Sequence, residues 1–346
     1  MFAKLLKEVG RGKRGARDLS YEEARMAAEM IVDDKVTPAQ LGAFFVAERI
    51  KMESVEELQA FVEVLREHAY RVPVQEGIDC TGPYDGRKKS FYATFATAFV
   101  TAAAGLPVTL HGTAPMPPKW GITLQELLQE AGVAAAEMSR ESAAHAAKET
   151  GVLYASSEQW CPPLAKLRPV RLELDMRTII NTAEKLVDYS HSPYLLFGVF
   201  HNTVFERMAK LSQNLSYRKA LIVQGVEGSE DLFIERPTRT YDVSGGEATL
   251  YVINPDAYGL ETAVPEIAWT PKEQLNATEA VLQGKGHLAF VNQVLLNAAV
   301  RLQLAEKVES VEEGLYICKA LMDEGAPFER YRTWISLMQK QGAQTV

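Results

Sequence analysis

The residues best equipped for chemistry sit on loops that follow short apolar runs. Ile78-Asp79-Cys80 reads as a strand, and Thr81-Gly82-Pro83-Tyr84-Asp85-Gly86 reads as a turn after it. An Ala-rich helix from about Phe91 to Ala104 comes next. A turn between a strand and a helix is a place for a phosphate, because backbone N–H groups and the helix dipole attract an anion. Asp85 can meet a metal or a sugar hydroxyl there, and Arg87, Lys88 and Lys89 add positive charge. Pro83 has no N–H to donate, so a plain tight turn is the competing reading.

Three further groups share this setting. Leu110-His111-Gly112-Thr113 closes the apolar run Leu106–Leu110 and would bring His111 and Thr113 to the same crevice. Lys119, among Pro117, Pro118 and Gly121, offers a phosphate a point charge or is a solvated amine. Gly225-Val-Glu227-Gly-Ser-Glu230-Asp231 follows the strand Lys219–Val223. Adjacent carboxylates such as Glu230 and Asp231 can hold Mg²⁺ together with substrate oxygens, although a solvated acidic loop has the same composition. Arg171 can take a carboxylate bidentately. It and Arg177 suit salt bridges or nucleic-acid phosphates equally well.

The elements that must position these groups are legible from capping and periodicity. Residues 1–70 read as helical, with capping boxes at Ser20/Glu23, Thr37/Gln40 and Ser54/Glu57. From residue 73 the order strand, loop, helix, strand is a βαβ unit and implies a parallel sheet. Helices are expected at Thr123–Ala131, Glu141–Glu149 and Thr203–Leu211, and a hairpin within Arg239–Tyr251. The chain should end in helices at Pro271–Gln283, His287–Val308 and Ser310–Asp323, the last with a capping box at Ser310/Glu313. The expected fold is therefore α/β: a small all-helical N-terminal domain (1–72) plus a larger α/β domain (73–346) with a mainly parallel central sheet. The carboxyl ends of those strands should bind the ligand.

Composition limits the choices. The chain has 346 residues, 47% apolar and 24% charged, an ordinary globular balance. Cys80, Cys161 and Cys318 form no CxxC pair, which fits a reducing cytoplasm. Ser90–Pro118 carries no Asp, Glu, Lys or Arg, yet Gly105, Pro107 and Pro115 break it into a buried helix and strand, so no membrane span is expected. The net charge of −8 argues against tight nonspecific nucleic-acid binding. Against it stand six basic residues and one acid in residues 1–17, the run Arg87-Lys88-Lys89, and the spread Lys166, Arg168, Arg171, Arg177.

The order and spacing of the motifs carry more than any one of them. Thr37-Pro-Ala-Gln40-Leu-Gly-Ala43 with Arg49-Ile-Lys51, Ala98–Gly105, His111-Gly112, Pro169-Val-Arg171, Arg177-Thr-Ile-Ile-Asn181 and Leu295-Leu-Asn-Ala-Ala299 resemble the anthranilate phosphoribosyltransferase family, from about Leu5 to about Phe328. The resemblance implies a helical domain beside an α/β domain with the active site between them. It also implies a Mg²⁺-dependent transfer of phosphoribosyl from phosphoribosyl pyrophosphate to an aromatic amine, anthranilate or a drifted acceptor. A cytoplasmic homodimer and a place in tryptophan biosynthesis come with it.

By position, the resemblance makes Gly82, Asp85, Gly86, Lys89, Thr94, His111, Thr113, Lys119 and Arg171 substrate-binding, and Glu230 and Asp231 metal-binding. Arg171 would face anthranilate's carboxylate. The departures lie in the loops: Pro83 and Tyr84 replace two glycines, Thr113 an asparagine, Pro117 and Pro118 serines, and the place of a histidine expected to help bind anthranilate falls near Cys161. A branch of the family with altered loops, thought to bind nucleic acid, shares the Gly10–Leu19 start, Tyr84–Lys89 and Asn181–Leu186. That non-catalytic, nucleic-acid-binding role is the alternative expectation.

Overall fold

Capping chemistry divides the N-terminal lobe into four helices: α1 (Phe2–Val9), α2 (Tyr21–Val32), α3 (Pro38–Lys51) and α4 (Val55–Glu67). The Ser20/Glu23, Thr37/Gln40 and Ser54/Glu57 boxes all close reciprocally. The molecule is described by a computed structural model covering residues 1–12 and 14–339, so Lys13 of the N-terminal basic run lies outside the described residues. Phe44 and Phe61 stack in the core of this lobe, with Phe2 against Phe44.

The second lobe follows as β1 (Ile78–Thr81), α5 (Ala93–Ala103), β2 (Val108–Gly112), α6 (Leu124–Glu130), α7 (Arg140–Thr150) and β3 (Val152–Ser156). Next come α8 (Ser157–Trp160), α9 (Pro162–Leu174), α10 (Ile180–Ala183), β4 (Tyr194–Gly198), α11 (Phe205–Asn214) and β5 (Lys219–Val223). The hairpin β6 (Thr238–Ser244) and β7 (Glu247–Ile253) precedes α12 (Pro271–Leu282), α13 (Leu288–Leu304), α14 (Val311–Asp323) and α15 (Ala326–Gln339). The sheet order is β3-β2-β1-β4-β5-β6-β7. The first five strands are parallel and the hairpin is antiparallel, as the α/β expectation requires.

The parallel strands are buried along nearly their whole length, as sheets covered on both faces must be. α5 is apolar on every side and buried from Ala93 to Ala102 against α13 and α15. α9 packs on α3, and α10 and α11 pack on α4, so the two lobes share a continuous seam.

Three local expectations shift. β2 runs two residues later than Leu106–Leu110, since Pro107 lacks the N–H a ladder needs, and His111 and Gly112 lie on the strand rather than past it. The Ser310 cap forms only half a box: Ser310 accepts from the Glu313 N–H, while Glu313 reaches the Glu309 N–H. Helix α11 starts at Phe205, after a 3₁₀ turn over Asn202–Val204.

Candidate active site

Strand order reverses at β1, which has β2 on one side and β4 on the other. That switch point is where open α/β sheets leave a crevice. A cavity of about 290 Å³ lies there. Arg49, Met52 and Glu53 of the helical lobe line it, opposite Asp85, Arg177 and Lys185 of the α/β lobe.

The first loop is built by backbone contact. Gly86 has φ +76°, and a Cβ there would lie 2.3 Å from the Gly121 carbonyl oxygen. This close approach lets Arg87 N–H donate to Ile122 O (2.9 Å) and Ile122 N–H donate to Arg87 O (2.7 Å). Gly86 therefore joins the β1 loop to the Lys119 loop, a correction to its expected place against a ligand. Gly82 likewise faces the protein: a Cβ on it would sit 2.9 Å from Glu230 Oε2.

One side of the cleft brings together Asp85, Lys119 and Arg177. Asp85 is buried and lies 3.1 Å from Lys119 Nζ and 2.7 Å from Arg177 Nη2. Burial lowers the Lys119 ammonium's pKa despite Asp85 beside it. Lys185 is buried deeper, donating to Gly198 O (2.6 Å) and lying 3.9 Å from the Phe197 ring centre. Loss of hydration pulls it down to about 7.

Glu230 and Asp231 point inward, both fully buried. Asp231 accepts from Arg87 Nη1 (2.6 Å) and the Thr94 N–H (2.9 Å), and Arg301 Nη2 stands 3.4 Å away. Arg301 also donates to Thr94 Oγ1 (2.7 Å). Arg87 is no surface cation: its guanidinium is buried, 4.1 Å over Tyr92. Glu230 is different. Arg87 Nη2 approaches only to 3.9 Å, and both Glu230 oxygens lack a hydrogen-bond partner among the described residues. Burial disfavours its charge, but Arg87 and Arg301 outweigh burial and hold it below the usual carboxylate range.

The other expected contacts are satisfied from within. Tyr84 is buried, and its hydroxyl lies 2.6 Å from His111 Nδ1; His111 Nε2 lies 3.1 Å from Asp79. Arg171 makes a bidentate pair with Glu184 at 2.7 Å on both arms. Thr113 accepts from Arg168 at 3.3 Å. Lys89 turns its side chain to solvent and offers only its N–H, which Glu227 takes at 3.0 Å. His111, Thr113, Lys89 and Arg171 are thus not gathered around the open cavity, and this corrects their expected placement. Cys161 is buried, with its thiol pushed up to about 12 by desolvation.

Sequence reading missed Glu227, Glu184, Lys185 and Arg301 as site residues. Arg301 had a signal: a lone charge within the apolar helix α13 must find a buried partner.

This pairing of a helical bundle with a doubly wound sheet, and a cleft at their seam, defines a two-lobed helical-bundle and α/β fold. The sequence profile of the glycosyl transferase family α/β domain matches residues 78–328, and that of its helical bundle domain matches residues 3–69. The chain belongs to this glycosyl transferase family. It is 32% identical to an anthranilate phosphoribosyltransferase of Thermomicrobium roseum, over 90% of this chain and 91% of that one. It is 29% identical to that of Rubrobacter xylanophilus, over 97% of this chain and 98% of that one. Among solved structures, the anthranilate phosphoribosyltransferase of Thermus thermophilus superposes with a TM-score of 0.82 at 24% identity, covering 97% of this chain and 99% of that one. The Saccharomyces cerevisiae enzyme in complex with PRPP and Mg superposes with a TM-score of 0.82 at 17% identity, with 98% of each chain covered.

Proposed function

We propose that the cleft binds phosphoribosyl pyrophosphate with Mg²⁺ and transfers its pentosyl group to an aromatic amine, anthranilate or a drifted acceptor. Glu230 carries this reading. A buried, ionised carboxylate with no hydrogen bond of its own fits a cation. Asp231 fits one poorly, because Arg87 and the Thr94 N–H already hold it. Glu230 would hold the metal, which when bound neutralises the leaving diphosphate. Arg49 and Arg177 line the cavity and would orient phosphate oxygens. The Tyr84 ring on His111 and the Glu184 carboxylate in the Arg171 clamp are the two features that favour a drifted acceptor. A soluble cytoplasmic homodimer is part of the same reading, by resemblance; among the described residues no helix is long and apolar enough to cross a membrane.

Nucleic-acid binding finds less footing. Arg87 is buried, Arg11 pairs with Glu8, and Arg17 pairs with Glu8 and Glu23, so both basic runs are thinned. None of the relatives reported above is named for nucleic acid.

Calorimetry tests the proposal. Phosphoribosyl pyrophosphate with Mg²⁺ should give binding heat that disappears with chelator and in Glu230→Gln. No heat from the wild-type protein with ligand in large excess removes the reading.

A further inference from the structure

The turn after the first loop already holds an anion, and it is the protein's own. Lys88 N–H donates to both Glu227 oxygens (3.0 and 3.2 Å), Lys89 N–H donates to Oε2 (3.0 Å), and the Ser90 hydroxyl donates to Oε2 (2.6 Å). Lys119 Nζ grips the same residue from below, donating to the Glu227 carbonyl oxygen at 3.1 Å. Two adjacent amides and a hydroxyl converging on one carboxylate form an oxyanion nest. Burial disfavours the charge on Glu227, but the Ser90 hydroxyl and the Lys89 and Lys88 amides outweigh it and keep the carboxyl below the usual range.

The backbone beneath this contact is strained. Glu227 and Gly228 line the 290 Å³ cavity together with Pro83, Asp85 and Arg177, so the nest's occupant borders the cleft. Glu227 itself sits at φ 53°, ψ 24°, in the left-handed region that non-glycine residues adopt only when their contacts hold them there. The carboxylate is half-buried, at the tip of a short turn anchored by Val226 N–H to Asp231 O (2.9 Å).

We propose that the Lys88–Ser90 turn is a phosphate-binding nest kept closed by Glu227, whose carboxylate exchanges with a phosphate group of a diphosphate ligand. This rests on reading the cleft as a phosphoribosyl pyrophosphate site and adds its gate. An internal occupant lowers apparent affinity by the fraction of molecules that are open. Removing it raises affinity without adding a contact.

The experiment titrates inorganic pyrophosphate, with chelator and no Mg²⁺, into wild type, Glu227→Ala and Glu227→Gln, with hydrogen exchange followed across residues 88–90. Glu227→Ala should bind at least about tenfold more tightly than wild type, with Glu227→Gln between them. Its 88–90 amides should exchange faster than in wild type when free and regain protection when pyrophosphate is added. Equal or weaker binding by a folded Glu227→Ala overturns the proposal, and so does exchange at 88–90 that pyrophosphate leaves unchanged. Should Glu227→Ala not fold, the same criteria pass to Glu227→Gln. The two readings fail separately. If phosphoribosyl pyrophosphate binds none of the proteins while the pyrophosphate gain holds, the gate stands and the transferase falls. If it binds wild type and Glu227→Ala alike and pyrophosphate shows no gain, the gate falls and the transferase stands.

Discussion

Each lobe buries a cluster of charges, and the two clusters are balanced by different means. In the helical lobe one ammonium serves three carboxylates: Lys51 Nζ lies 2.8 Å from Asp18, 3.3 Å from Glu48 and 2.6 Å from Glu57. Asp18 reaches solvent, whereas Glu48 and Glu57 are fully buried. A proton completes the balance, because burial and the neighbouring Glu57 push Glu48 up to about 8. In the cleft, Arg87 and Arg301 face Asp231 and Glu230, two cations for two carboxylates. Guanidinium groups do not release protons in proteins. The helical lobe therefore answers to pH through Glu48, while the two guanidinium groups that face Asp231 and Glu230 keep their charge.

The hardest test of this contrast removes a fixed cation. Arg87→Met leaves Asp231 without its 2.6 Å partner in a fully buried setting. Breaking one side of such a pair costs about 3–5 kcal/mol. Urea denaturation should show that loss at every pH from mildly acid to mildly alkaline. Mg²⁺ should restore part of it in the variant and raise the wild-type midpoint less. A loss under about 1 kcal/mol would mean that the pair is not a closed balance and would erase the difference between the lobes.

How much of this could be read from the sequence follows the range of the forces involved. Capping boxes span only four residues, so the starts of α2, α3 and α4 were legible to the residue. The βαβ order around Cys80 and Leu110 gave the parallel sheet. β3 and β4 escaped because short buried runs such as Val152–Ser156 and Tyr194–Gly198 carry no alternation and no turn dipeptide. α9 escaped because Pro162, Pro163 and Pro169 read as breakers, although the first two sit at the helix start where proline is tolerated. In the site, loop positions were legible and partners were not. Arg87 looked like one third of a basic run, yet its partner Asp231 is 144 residues away. Arg171 looked free to take a ligand, and Glu184, only 13 residues on, already fills its fork. Which charges pair is decided by the tertiary fold, and local patterns do not contain it.

A gentler test concerns the proton in the helical lobe. The Glu48 pKa rises from 4.5 to about 8 on folding. Below pH 4.5 both states hold the proton and the burial costs nothing. Between 4.5 and 8 the folded state keeps a proton that the unfolded state has lost, so wild-type stability falls as pH rises. Glu48→Gln should match wild type in acid and gain on it by about 1 kcal/mol per pH unit across that window, then level off. Parallel stability curves for the two proteins would show that Lys51 neutralises Glu48 outright.

The counterpart of Glu48 lies at Lys185, which lines the cleft. It is the mirror image of Glu48: a buried base, with its pKa lowered from 10.5 to about 7 by lost hydration. Here the sign reverses. Below pH 7 both states carry the proton and the burial cost is complete. Between 7 and 10.5 only the unfolded state keeps it, so wild-type stability rises with pH through that range. Lys185→Met should therefore stabilise most in mild acid and lose its advantage in alkali, the opposite course to Glu48→Gln. That advantage should shrink by about 1 kcal/mol per pH unit across the window, the slope expected for Glu48 with the opposite sign. Thermal midpoints measured at pH 6 and pH 10, on either side of that window, decide it. An advantage for Lys185→Met that is the same at both would mean that the amine stays charged throughout.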